Sequence, residues 1–96
     1  NKTYRAPTDK EREALKALSD VLAGLTEGTS AEDIQTEVYR IGREHAFENM
    51  RDWFGAMYET LLGAKQGPRM GSFIALYGIA NSQRLIEQML IHDHST

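Results

Sequence analysis

Cysteine is absent from this 96-residue chain. That removes disulfide scaffolds, thiolate nucleophiles and cysteine zinc sites together, and is compatible with a reducing cytosol. Proline occurs only twice, and apolar runs stay a few residues long. Neither a membrane span nor, in the opening NKTYRAPTDKERE, the apolar stretch of a signal peptide is read. No alternating strand pattern or hairpin signal occurs, and neither the GxxxxGKS/T nor the GxGxxG phosphate loop is present. Ser72 and Ser82 have no visible histidine and acid partners, so no catalytic residue is assigned. The expectation is one soluble module over residues 1–96, with a polar linker at 1–7 and a tail at 92–96. An opening asparagine and that polar start read as a piece of a longer protein.

Positive charge is also in short supply, with a net charge of −3 at pH 7. This argues against a general nucleic-acid binder, whose affinity rests on neutralising phosphates. The charge is unevenly spread, however. Residues 1–39 carry five Lys and Arg against eight Asp and Glu, whereas residues 40–84 carry six against four. The middle of the chain is mildly basic.

What is present is helical periodicity. Thr8 and Glu11 have capping-box spacing, and Leu15, Leu18 and Leu22 follow on one face, giving a first helix over roughly 9–25. Ser30, with Asp33 three residues on, starts a second over roughly 31–45, marked by Ile34, Val38 and Ile41. Asn49 caps a third, whose stripe of Met50, Trp53, Phe54, Met57 and Leu61 ends at Gly63, a left-handed cap. Pro68 opens a short fourth helix to Tyr77, with Arg69 in its first turn. Asn81 or Ser82 caps the last, which carries Leu85, Ile86 and Met89. The fold class is all-α, a compact orthogonal bundle of about five helices.

Arg69 poses a question, because the first turn of a helix favours anions and disfavours a cation by a few tenths of a kcal/mol, up to about 1. Either a carboxylate of the same fold or an external anion must offset it. Trp53, Tyr58 and Tyr77 have the chemistry to stack on unpaired bases. Trp53 lies within an apolar stripe and reads as core, while Tyr58 falls beside it. Gly71 inside a helix costs about 1 kcal/mol relative to alanine and reads as close helix packing. Glu44, His45 and Glu48 share a helical face, and His92, Asp93 and His94 sit in the tail. Solvated polar positions explain both groups better than a metal does, so no metal site is assigned.

The run Met57 to Ile74, MYETLLGAKQGPRMGSFI, resembles the C-terminal helical region of class I lysyl-tRNA synthetases, where LLG leads into a GPR-x-G-x-F-I turn. Tyr4–Thr8 and Ile41–His45 are similar to that family too, so the likeness covers about positions 4–90. Ser72 stands where many members carry proline. The resemblance implies a cytoplasmic enzyme whose ATP-binding catalytic domain, with HIGH-like and KMSKS-like signatures, lies upstream; neither signature is present here. It also implies that these helices bind the anticodon arm of lysine tRNA, with no cofactor in this segment. The candidate RNA-binding residues are then Lys65, Arg69, Arg51, Arg84 and Tyr58. Arg69 is either such a contact or the partner of Asp52 or Glu59. Two other classes stay open: a helical protein-interaction module, supported by an exposed Met70 or Tyr58, and a helix-turn-helix DNA-binding domain reading through Asn81, Gln83, Arg84 and Gln88 of the last helix.

Overall fold

Side-chain oxygens start three of the helices. The computed structural model describes residues 2–94, with side chains through Ile91. The Glu11 backbone N–H donates to Thr8 Oγ1 at 3.2 Å, and the Thr8 N–H donates to the Glu11 carboxylate at 2.9 Å, closing a capping box ahead of α1 (Asp9–Ala23). Ser30 accepts from the Asp33 N–H at the start of α2 (Ala31–Glu44). Asn49 accepts from the Arg51 N–H at the start of α3 (Met50–Met57). Such caps satisfy N–H groups that the helix itself leaves unpaired. Two further helices follow, α4 (Met70–Tyr77) and α5 (Ile79–His94), and no strand occurs among the described residues. No helix among them is long and apolar enough to cross a membrane.

The apolar stripes turn inward as their spacing predicts. Leu15, Leu18, Ile34, Val38 and Trp53 are fully buried, each large side chain stabilising the fold by about 1.5–3 kcal/mol. Trp53 donates its indole N–H to the Val38 carbonyl at 2.9 Å, so this ring is core and unavailable to a base. Gly42 lets it in, since a Cβ there would stand 2.7 Å from Trp53 Cδ1. Gly71 plays the same part where α4 lies on α2: a Cβ would stand 2.3 Å from the Ala31 carbonyl oxygen. The packing reading of Gly71 holds.

The starts of α4 and α5 differ from expectation. α4 begins at Met70, two residues after Pro68, and Arg69 is its N-cap residue rather than part of its first turn. The reason is a side chain 36 residues away: Gln35 Oε1 accepts the Gly71 N–H and takes the place of a local cap. α5 begins at Ile79, not beyond Asn81 or Ser82. Both carboxylate oxygens of Glu27, in the turn between α1 and α2, accept the Ile79 and Ala80 N–H groups at 2.9 Å. Asn81 instead donates to the Tyr77 carbonyl, and Ser82 is buried. The side chains of His92, Asp93 and His94 lie outside the described residues.

Candidate nucleic-acid interface

Directly after α3 the backbone widens into a π-helical turn over Tyr58–Leu62, which sequence periodicity did not foresee. Thr60, buried, turns its hydroxyl back onto the Ala56 carbonyl at 2.7 Å. Gly63 then closes the turn in the left-handed region, at φ 69°, and donates to the Tyr58 carbonyl five residues back. Glycine is required twice over there, because a Cβ would also stand 2.9 Å from Lys2 Cβ and 3.0 Å from the Tyr4 ring. The segment ahead of α1 lies along this turn, with the Thr3 N–H on the Gly63 carbonyl and the Arg5 N–H on the Glu59 carbonyl. π-turns of this kind occur often at functional sites.

Between this arm, α3 and the loop after Gly63 opens a cleft of about 1140 Å³. Arg51, Tyr58 and Lys65, three of the five sequence candidates, line it together. Arg51 and Lys65 are exposed, and no ion pair engages either among the described residues. Tyr58 is half-buried, its hydroxyl donates to the Pro68 carbonyl at 2.8 Å, and burial pushes its phenol pKa above the ordinary value. Asn49 and Gln66 add neutral hydrogen-bonding groups to the wall.

Lys10 belongs to the same cleft and was missed, because it falls in the acidic first third of the sequence. Its ammonium donates to the Ala46 carbonyl at 2.8 Å and lies 4.4 Å above the Phe47 ring. Only the tertiary fold carries it beside Arg51. The end of α2 beneath it is a left-handed cap in which the Phe47 N–H reaches the Gly42 carbonyl and the Ala46 N–H reaches that of Arg43. Ala46 occupies, at φ 65°, the position where glycine ordinarily stands.

Arg69 and Arg84 lie outside the cleft. The expected alternative for Arg69, an ion pair with Asp52 or Glu59, is not formed: Glu59 is held by Arg5, and Arg69 is exposed with no ion pair among the described residues. Arg84 is exposed and donates to Asn81, which uses part of the polar face on which a DNA-reading helix would rely. Met70 is 1% exposed and so offers no protein-docking surface; Leu76, at 92%, and Tyr77 are the exposed apolar groups of that helix. Glu44 is engaged by Arg40 at 3.0 Å, and no group of three metal-ligating side chains is found among the described residues.

No family model and no solved structure matches the chain. Curated relatives do. It is 51% identical over 89 residues to a lysine–tRNA ligase of Roseobacter denitrificans, 46% over 90 residues to one of Rickettsia bellii, and 43% over 89 residues to one of Rickettsia felis. These matches take in 93–94% of the chain but 17% of each relative, so it spans about a sixth of their length. Extending over more than nine-tenths of the chain, that identity makes it a segment of a lysine–tRNA ligase.

Proposed function

We propose that this segment is part of the C-terminal anticodon-binding region of a class I lysine–tRNA ligase. In this reading it holds the anticodon arm of lysine tRNA in the cytoplasm. A separate domain of the same polypeptide binds ATP, activates lysine and transfers it. The relatives' name supplies lysine and tRNA, and the class rests on the likeness of the GPRMGSFI turn to that family. The observation that carries the reading is the convergence of Lys10, Arg51 and Lys65 with Tyr58, Asn49 and Gln66 on one open cleft. Cations there suit phosphate, and the amides and phenol edge suit unpaired nucleotides.

The test is a titration of the full-length ligase with lysine tRNA at several salt concentrations. Arg51→Ala and Lys65→Ala should each weaken binding, and each should reduce the slope of log K against log salt by about one. Affinity and slope unchanged in both variants would remove the cleft from the RNA interface. The isolated 96-residue segment should not catalyse lysine-dependent pyrophosphate exchange, since it carries no nucleotide signature. One observation favours a second role: Leu76 and Tyr77 give α4 an exposed apolar end suited to another part of the same polypeptide.

A further inference from the structure

The cleft that would receive RNA also contains acid. Glu11, Asp52 and Glu59 face it together with the cations, and carboxylates on such a wall repel phosphate. Two of these three are held by a single side chain. Arg5 meets Glu11 with both terminal nitrogens, Nη1 to Oε1 at 2.7 Å and Nη2 to Oε2 at 3.0 Å, and gives its Nε–H to Glu59 Oε1 at 2.5 Å. Nη1 also donates to the Ala6 carbonyl at 3.2 Å.

Four of the five guanidinium N–H groups are thereby used within the protein. A planar fork so occupied is poorly placed to grip a phosphate itself. The two carboxylates differ in what else they have. Glu11 is nearly buried and also accepts the Thr8 N–H, whereas the Glu59 side chain is 32% exposed and has Arg5 as its one side-chain partner among the described residues. Glu59 and Lys65 further share a smaller recess of about 520 Å³ beside the main cleft. With Arg5 in place the cleft has four cations against three carboxylates, and without it the signs balance.

We propose that Arg5 is a positioning residue for RNA binding: it pairs with both Glu11 and Glu59 on the cleft wall and offsets one of their two negative charges, so that the cleft carrying Lys10, Arg51 and Lys65 presents a net positive field to tRNA phosphates. This rests on the reading of the cleft as the tRNA site. The arm is then an electrostatic component of the interface as well as a covalent connection. Arg5 acts through Glu59 rather than on the RNA, which separates it from Arg51 and Lys65.

The test uses full-length ligase and lysine tRNA, with wild type, Arg5→Gln, Glu59→Gln and the double variant compared at low and high salt and by melting temperature. Arg5→Gln should bind about tenfold more weakly at low salt, with the deficit shrinking as salt screens the exposed carboxylate. Adding Glu59→Gln should recover most of that loss, although the arm has lost its ion pairs and melts lower. A double variant as weak as Arg5→Gln would overturn the inference, because deleting a repelling carboxylate cannot replace a lost phosphate contact or a lost staple. Wild-type affinity in Arg5→Gln would overturn it as well. Arg51→Ala and Lys65→Ala in the same series tell the two levels apart. If they weaken binding while the Arg5 series does not behave as stated, only the role of Arg5 falls. If they too leave binding unchanged, the cleft falls and Arg5 with it.

Discussion

The seam between α2 and α4 and the cleft between the arm and the π-turn are built by opposite means. At the seam the helices meet through Gly71, whose amide is bound by the buried Gln35 side chain, and no charged residue of α4 is involved because α4 has none. At the cleft the arm is held by Arg5 to Glu11 and Glu59, and Lys10 is held over Phe47. Arg51 and Lys65 stand in solvent beside them. Dense packing leaves no tolerance for an added atom, whereas paired charges at a water-filled wall tolerate loss in graded steps. The difference separates residues whose duty is stability from residues with no structural duty, and the second group is where binding chemistry has room to act.

The largest effects belong to the packed side. Trp53→Ala should cost about 3–5 kcal/mol by denaturant melting, through lost burial, a cavity and loss of the indole hydrogen bond to the Val38 carbonyl. Gly71→Ala should cost about 1–3 kcal/mol, because the Ala31 carbonyl it strikes is backbone and the helices must part. A cost below about 0.5 kcal/mol for Gly71→Ala would mean that the seam is not close-packed.

At the charged side the effects shrink. Arg5→Ala should cost about 1–2 kcal/mol, below the 3–5 of a fully buried pair, because its side chain is 38% exposed and water screens it. The Arg5 guanidinium, helped by the Thr8 N–H, holds the Glu11 carboxyl below the ordinary carboxylate range. A depressed folded-state pKa means that this stabilisation is present above the unfolded value and is lost as pH falls through the folded one. Acid titration of stability should therefore be shallower in Glu11→Gln than in wild type, and equal slopes would refute the linkage.

Ala46→Gly should change stability in the other direction. It relieves a left-handed alanine and should raise stability by about 0.5–1 kcal/mol, provided Lys10 keeps its carbonyl. Smallest of all in stability are Arg51→Ala and Lys65→Ala, expected within about 0.5 kcal/mol of wild type. A large loss in either would assign them to the structure and blur the contrast between the two regions.

What was legible in the sequence was local. Thr8 with Glu11, Ser30 and Asn49 announce their helices because each cap acts within three residues of itself. Trp53 declared itself core by its place in a stripe, and Gly71 declared a close approach by its cost in a helix. The features that escaped depend on distant partners. Gln35 moved the start of α4 and Glu27 set the start of α5, from 36 and 52 residues away. The π-turn escaped because Tyr58–Leu62 has the same apolar spacing as an α-helix, and the extra residue per turn leaves no mark in composition. Arg51, Tyr58 and Lys65, which line the cleft, had been singled out by residue type, but Lys10 and Arg5 became part of it only once α1 and the arm were laid beside α3.

The carboxylate of Glu27 ties together two turns that are far apart in the chain, one between α1 and α2 and one between α4 and α5. The amide protons of Ile79 and Ala80 are thereby bound by a residue outside their own helix. Release of the Glu27 carboxylate frees both amides at once, so fraying of α5 from its N-terminal end should be coupled to excursions of the Thr26–Thr29 turn. This cross-brace should make two loops breathe in step, a coupling that Glu27→Gln should weaken in deuterium exchange.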